Sequence, residues 1–391
     1  MNITERVGDK CTGCFACYNA CPVQCISQKI GEDGFLYPDI DSTKCIDCSK
    51  CIKVCPEINE SEQLNASRAF YGWNCDEATR RQSSSGGIFV SLAKHVLQDG
   101  GVVYGAAFRY EDDRVSVECM STAETSIENL LRSKYAQCNV KDAYKRILAD
   151  LRRNVRVLYV STPCQVAGLR RFLGRHYDNL ITCDFVCHGV PSVDLFNKHL
   201  SYLGISSVKE INFRPKIFSW VDYIVVNYKR TKIYKKFWRY DEYFYAFEKH
   251  LNLRKSCYSC LYCNGNRSAD ITLADFWGIY KYDAKAYDSR GISLIMANSP
   301  KGESVIEKCR LTGNLCLHDL PLSDASYVYE RKRNGENNYK IEIRNQYLQD
   351  VYTKGYAIAN SIHKLSTSTF DYLIFRVKRI LFQLKNYFRK S

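Results

Sequence analysis

The chain has 391 residues, 46% of them hydrophobic and 25% charged, with 20 cysteines and a formal net charge of +14. Length and apolar content support two or three packed domains and exclude a mainly disordered or collagen-like chain. No apolar run approaches the ~18 residues that a membrane-spanning helix needs.

Charge and cysteine are both unevenly spread. Residues 1–60 hold 9 cysteines and 6 basic against 9 acidic residues, so an acidic head precedes a body of net +17. No secretory signal opens the chain, because charged residues and Cys11 stand where its apolar stretch would be. A cytoplasmic, thiol-reducing location is therefore expected, and dense cysteine there points to metal.

In the head, Cys11, Cys14, Cys17 and Cys21 are followed by Pro22, and the pattern returns as Cys45, Cys48, Cys51 and Cys55 followed by Pro56. Each unit reads C-x2-C-x2-C-x3-C-P, the run that ligates [4Fe–4S] clusters in bacterial two-cluster ferredoxins. Iron is held here by soft sulfur donors, and the fourth cysteine of each run crosses to the other cluster. One cluster is expected on Cys11, Cys14, Cys17 and Cys55, the other on Cys45, Cys48, Cys51 and Cys21. Zinc fits less well, since it usually takes two separated pairs. Cys25 reads as a packed thiol. Residues 1–60 are thus expected to form a one-electron conduit with no place for an organic substrate, joined to the body by the polar linker Asn59–Ser67.

The body alternates strands and helices. Arg81-Gln-Ser-Ser-Ser-Gly86-Gly87 opens an apolar helix through Leu97; glycines and hydroxyls at a helix N-terminus suit a phosphate or pyrophosphate, although a serine cap with turn glycines gives the same pattern. Gly101–Tyr110 reads as a strand and Val140–Arg153 as a helix. Cys164 follows the strand Val155–Val160, and Cys187 follows Leu180–Val186, at the strand ends where open α/β sheets place ligands. After the helix Val193–Leu203, residues 208–238 alternate like antiparallel strands, with Tyr223–Tyr228 beside Lys232–Trp238. Cys257 and Cys260 form a C-x2-C pair, with Cys263 three residues on. A pair and two single cysteines can close a third four-thiolate site. Arg267–Gly278 reads as a strand with two carboxylates, ending at a turn. The expected class is α+β: a small ferredoxin-like dicluster domain, then a larger α/β body with a mixed sheet, in parts 66–160 and 161–330.

Taken in order, the SGG segment, Arg132-Ser-Lys-Tyr135, Thr-Pro-Cys164-Gln, Cys187-His-Gly-Val-Pro191, Phe213-Arg-Pro-Lys216, Cys257-Tyr-Ser-Cys260 and Arg267…Asp270-Ile-Thr…Asp275-Phe-Trp-Gly resemble the coenzyme F420 hydrogenase/dehydrogenase beta subunit family over residues 68–300. The resemblance implies a flavoprotein body with FAD and one further [4Fe–4S] cluster, ligated by Cys164, Cys187, Cys257 and Cys260. It places the FAD near Ser85, Gly86 and Gly87, with Lys134 and Thr162 as additional contacts. Cys263 lies outside the shared pattern and competes for the fourth corner. The deazaflavin coenzyme is not carried over. FAD links one-electron clusters to two-electron chemistry, and His188 or Lys216 would supply a proton. The function so implied is an iron–sulfur flavoprotein oxidoreductase passing electrons from the head clusters to FAD and a small organic substrate. A ferredoxin or reductase would be its redox partner, and family members with such a head are often met among surface-polysaccharide genes. The alternative is a non-catalytic electron-transfer subunit that serves a partner enzyme.

Two basic regions remain. Residues 209–255 carry a net +7 interleaved with aromatics, read as a solvated sheet face or a docking surface for the acidic head rather than a nucleic-acid site. In residues 365–391, Phe370, Leu373, Ile374, Val377, Leu381, Leu384 and Phe388 fall on one helical stripe with most basic residues off it. This is expected to be a basic amphipathic helix, packed on the body or a partner, or lying peripherally on the inner face of the membrane.

Overall fold

The apolar runs read from the sequence as strands are buried because they form the middle of one eight-stranded sheet. This computed structural model describes residues 2–365 apart from 112, 218, 221–222, 264, 266 and 330–336, together with 372–374 and 377. The tail expected to form a basic amphipathic helix lies almost wholly outside the described residues.

In the head, the hairpin β1 (Ile26–Ile30) and β2 (Leu36–Ile40) is antiparallel, flanked by helices α1 (Ile3–Val7), α2 (Ala16–Ala20) and α3 (Lys50–Lys53). In the body, β3 (Arg68–Asn74) leads through α4 (Glu77–Gln82) and α5 (Ile88–Gln98) to the hairpin β4 (Val102–Glu111) and β5 (Arg114–Ser121). After α6 (Ile127–Leu130) and α7 (Ala143–Arg152) come β6 (Val157–Val160), α8 (Pro163–Leu173), β7 (Leu180–Phe185) and α9 (Val193–Tyr202). A separate antiparallel sheet of β8 (Val208–Asn212), β9 (Tyr223–Tyr228) and β10 (Lys232–Phe237) precedes α10 (Glu242–Glu248). The large sheet is completed by β11 (Ile271–Asp275), β12 (Ser293–Ala297) and β13 (Leu315–Leu320), with α11 (Pro300–Leu311) between the last two. Helices α12 (Leu322–Tyr329), α13 (Asn337–Thr353) and α14 (Tyr356–Ile362) follow.

The order across the large sheet is β13-β3-β12-β11-β7-β6-β4-β5. The four inner strands β11, β7, β6 and β4 are parallel, and every flanking pair is antiparallel. Strands from residues 66–160 and 161–330 thus share one sheet. The parallel centre is covered on both faces, as such sheets require: Leu92 and Val96 of α5 pack over Val103 and Leu158 on one side, while Tyr144 and Ile147 of α7 meet Tyr159 and Val166 on the other. Each fully buried aliphatic side chain contributes about 1.5–3 kcal/mol. Among the described residues no helix is long and apolar enough to cross a membrane.

Three findings differ, in whole or in part, from what the sequence leads one to expect. The linker is strapped to the body rather than solvated: Leu64 N–H donates to the Arg267 carbonyl (2.7 Å), and Ser61 and Ser268 hydroxyls share a hydrogen bond of 2.7 Å. The body is not uniformly reduced, since Cys75, just past β3, is disulfide-bonded to Cys316 in β13. The basic region 209–255 docks the head at its end, where Arg254 bonds the Cys11 carbonyl and Lys255 pairs with Asp9, whereas the β8–β10 sheet is turned to the body. It packs with α9, α10, α13 and α14 around a core containing Phe196, Phe213 and Tyr347.

That core is pinned by a buried ionic knot. His199 Nε2 lies 3.0 Å from Asp241 Oδ2, Tyr234 donates to the same oxygen at 2.9 Å, and Phe244 N–H donates to Oδ1 at 2.9 Å. Burial pushes the Asp241 carboxyl up, but the His199 charge and these donors leave it below the ordinary carboxylate value. Asp241→Ala should destabilise the protein by about 3 kcal/mol, because it strands buried partners. A shift of the urea midpoint worth under about 1 kcal/mol would mean the knot contributes no more than a typical hydrogen bond.

Candidate functional site

The two cysteine runs of the head fold alike because their turns do. Gly13 and Phe15 have φ of 67° and 54°, and Asp47 and Ser49, at equivalent positions of the repeat, have 49° and 57°. Alternating handedness of this kind aims successive N–H groups into one concavity, the backbone arrangement common around iron–sulfur and phosphate groups. Each turn leads into a short helix, α2 or α3, that carries the third cysteine.

The structure brings Cys11, Cys14, Cys17 and Cys55 together: the thiols acting on buried Cys14 and Cys17 are those of the other members. Burial first, and then these neighbours, push the Cys14 thiol up to about 12, so a bound metal has to supply the charge that makes it a thiolate. Cys21, Cys45, Cys48 and Cys51 line a hollow of their own, with Cys48 exposed at the surface. Cys25 is buried as expected, yet its Sγ lies 3.4 Å from Cys21 Sγ and it also faces Cys45. It is a fifth thiol of the second group.

In the body, Cys164 stands in the first turn of α8, Cys187 follows β7, and Cys257 sits in the 3-10 turn Lys255–Ser259. They converge with Cys260: the half-buried Cys164 thiol is pushed well up by desolvation and by Cys260, Cys187 and Cys257. Gly189 permits the approach, with φ of 117° and the position of a Cβ only 3.3 Å from Cys257 Cβ and 2.8 Å from Leu253 Cδ1. Cys263 also lies beside Cys260, but its Sγ donates to the Cys260 carbonyl at 3.0 Å. Among the described residues no three His, Cys, Asp or Glu side chains are close enough to hold a single metal ion. A mononuclear site would draw thiolates to ~3.8 Å of one another. A multi-iron group instead takes one thiolate per corner.

Helix α8 links the first head group to the body group. From Cys164, one turn on, Gly168 meets the head: a Cβ there would lie 2.9 Å from Cys14 Cβ and 3.0 Å from Cys14 Sγ. Buried Tyr262 lies among Cys14, Cys164, Cys260 and Glu57, and burial followed by these acidic neighbours pushes its phenol upward. Gly168→Val should displace Cys14 and cost about four iron atoms per chain, read by iron assay; full iron with an unchanged visible spectrum would show that α8 and the head can separate.

Beyond Cys187 opens a cavity of about 310 Å³ at the C-terminal ends of the parallel strands. Ser85, Gly87, Lys134, Thr162 and His188 all line it. Thr162 caps α8 and its Oγ1 lies 3.4 Å from Cys164 Sγ, so it touches both the cavity and the thiols. The N-terminus of α5 faces the same space through Gly87, Ile88 and Phe89.

Other expectations need correction. The serine hydroxyls are not free anion ligands: Ser83 donates to Thr79 O, Ser85 donates to Ile292 O, and Ser84 Oγ accepts from Ser133 N–H. Gly86 is a packing residue, its N–H given to Ser293 Oγ and its Cβ position 2.5 Å from the Gly72 carbonyl. Lys216 does not line the cavity. Its ammonium donates to the carbonyls of Arg290, Arg80 and Ser85 at 2.5, 2.6 and 2.6 Å. Burial, Arg214 and Arg80 pull it down to about 7, against Asp275 and Asp288, while three converging carbonyls favour the charged form. Lys134 is likewise engaged, donating to Leu131 O at 2.5 Å and Asn129 O at 3.0 Å.

Sequence reasoning missed the ion pair on the cavity wall. Buried Arg214 holds Asp275 in a fork of 2.8 and 3.1 Å and donates to Trp220 O at 2.9 Å. Both residues stand in motifs that carry the family resemblance, but their pairing across 61 positions had no local signal. Asp270, just before β11, is structural: it accepts from Thr182 of β7 and from Ser299 at the start of α11.

Comparison with known proteins follows these divisions. Residues 154–322 match the family described as the C terminus of the coenzyme F420 hydrogenase/dehydrogenase beta subunit, and residues 10–58 match the "4Fe-4S dicluster domain". Similar curated proteins include an uncharacterized protein of the rpl9–rpl11 intergenic region of Porphyra purpurea, 49% identical over 53 residues, which are 13% of this chain and 69% of that protein. The VorC subunit of the ketoisovalerate oxidoreductase of Methanothermobacter marburgensis is 40% identical over 55 residues, 14% of this chain and 70% of its own. An NADH-quinone oxidoreductase subunit of Geobacter metallireducens is 38% identical over 53 residues, 12% of this chain and 40% of its own. Among solved structures, a chain of the F420-reducing [NiFe] hydrogenase complex from Methanosarcina barkeri is 15% identical with a TM-score of 0.46, over 72% of this chain and 91% of that one.

Proposed function

We propose that this chain, whose residues 154–322 match the family described as the C terminus of the coenzyme F420 hydrogenase/dehydrogenase beta subunit and whose residues 10–58 match a 4Fe-4S dicluster domain, is an iron–sulfur flavoprotein oxidoreductase acting on a small organic substrate. The observation that carries the reading is the row of thiol groups. It runs from exposed Cys48, through the Cys11 group, to the Cys164 group, and ends at the cavity beside Cys187.

In this reading Cys21, Cys45, Cys48 and Cys51 hold the outer cluster, where a ferredoxin or reductase would deliver electrons. Cys11, Cys14, Cys17 and Cys55 hold the inner one, and Cys164, Cys187, Cys257 and Cys260 the third. The cavity surface is mostly apolar, with serines, Lys134, Thr162, His188 and the Arg214–Asp275 pair on its wall, a character that suits a cofactor site. FAD, when bound, supplies conversion between single electrons and hydride equivalents. The α5 N-terminus at Gly87 would hold its phosphates through free N–H groups, and the Arg214–Asp275 pair would orient polar ring atoms. His188, beside Cys187, would hold or deliver a proton. A link to surface polysaccharide biosynthesis rests on the family resemblance alone.

Anaerobic purification should yield about twelve iron atoms and one flavin per chain. Twelve iron atoms with no flavin would overturn the flavoenzyme reading and favour an electron-transfer subunit in a complex. About eight iron atoms would confine the clusters to the head.

A further inference from the structure

Two buried arginines, Arg254 and Arg344, join the head to the body, and Arg254 reaches a cysteine. Arg254 is 1% exposed. Its Nε donates to the Cys11 carbonyl at 2.7 Å, its Nη1 to Leu36 O and Gln137 Oε1 at 3.1 and 2.9 Å, and its Nη2 to Cys11 Sγ at 3.6 Å. The guanidinium stacks over Tyr37, 4.3 Å from the ring centre. The turn before Cys14 is built for this approach, since a Cβ on Gly13 would stand 2.9 Å from Nη1. On its other side, the Arg254 carbonyl accepts the N–H of Cys257 at 2.9 Å. One residue therefore touches a cysteine of the inner head group with its side chain and a cysteine of the body group with its backbone.

The charge balance is unusual. Two other cations crossing the same interface have carboxylates, Lys255 with Asp9 at 2.5 Å and Arg344 with Asp33 at 2.7 Å. Among the described residues Arg254 has no carboxylate within ion-pair distance; its partners are carbonyls, an amide oxygen, aromatic faces and one sulfur. A buried guanidinium without a counter-charge is costly. The missing anion is supplied when Cys11 becomes a ligand of a thiolate-coordinated cluster, whose net charge is negative.

We propose that Arg254 is a positioning residue that raises the reduction potential of the cluster held by Cys11 and fixes that cluster against the Cys257 side of the body. A hydrogen bond to a ligand sulfur and a nearby positive charge both favour the more negative, reduced cluster. Removing them makes the cluster harder to reduce.

The inference rests on the reading of Cys11 as a ligand, and the experiment separates the two. In full-length protein purified anaerobically, redox titration followed by electron paramagnetic resonance should resolve three clusters. Arg254→Gln should lower the reduced-to-oxidised ratio of one of them at least tenfold at fixed ambient potential, a shift of about 59 mV for one electron. Arg344→Gln, which loosens the same interface without touching a sulfur, should leave all three unmoved. Three clusters with parental midpoints in Arg254→Gln overturn the proposal, as does an equal shift in Arg344→Gln, which would trace the effect to docking alone. Fewer than two clusters in the parent, or an unchanged iron content in Cys11→Ser, would instead overturn the reading of Cys11 as a ligand. If Arg254→Gln loses iron, Arg254→Lys decides. A lysine keeps the charge but cannot reach Cys11 Sγ, Leu36 and Gln137 together, so its midpoint should fall, and a parental value overturns the proposal.

Discussion

Replacing Cys164 by serine should lower the iron of anaerobically purified protein from about twelve to about eight atoms per chain, leaving the spectrum of a two-cluster protein. The effect is large because Cys164 holds a position no neighbour can take. It stands at the start of α8 with Thr162 as cap, and its half-buried thiol faces Cys260, Cys187 and Cys257. A serine hydroxyl is a hard donor that iron–sulfur clusters do not prefer. Cys263→Ser should retain all twelve, since that sulfur is committed to the Cys260 carbonyl; loss of four there, with Cys260→Ser intact, would exchange the two in the ligand set. Cys183→Ser is the control. That thiol is fully buried in β7 and belongs to none of the groups. Twelve iron atoms in Cys164→Ser would remove Cys164 from the ligands of the third cluster.

The contrast between head and body explains how much the sequence could reveal. In the head the chemistry is local: four cysteines within eleven residues, repeated once, are enough to name a site before any fold is known. In the body the convergent cysteines are separated by 23, 70 and 3 positions, and only their placement after β6 and β7, together with the family resemblance, drew them together. The inner strands were legible because buried parallel strands read as continuous apolar runs. The flanks were not. β3 pairs with β12 and β13 more than 200 residues away, and nothing near Arg68–Asn74 announces that. The disulfide Cys75–Cys316 was hidden for the same reason. The polar loop Ser83–Ser85 misled in the opposite sense, because hydroxyls that look like ligands for an anion are spent on the protein's own backbone.

Lys216→Met should lower the affinity for flavin at least tenfold while leaving about twelve iron atoms in place. The sequence offered Lys216 as a proton donor, but its ammonium is the knot that ties three segments: the end of α4 at Arg80, the cavity loop at Ser85 and the loop at Arg290. Its own backbone is held at φ of 51°, a conformation uncommon for a side-chain-bearing residue and one that aims Nζ at all three carbonyls. Methionine matches the length of the side chain without a donor. Each buried carbonyl left unsatisfied costs about 1–3 kcal/mol, so the loop carrying Gly87 should detach from the loop before β12 rather than tolerate the loss. Lys216→Arg should not rescue, because a planar fork cannot converge on three carbonyls as a tetrahedral ammonium does. Flavin retained after gel filtration is the measurement. A methionine variant that keeps its flavin but loses the alkaline or acid limb of its rate profile would restore the proton-donor role, whereas flavin loss with intact clusters assigns Lys216 to the architecture of the cavity.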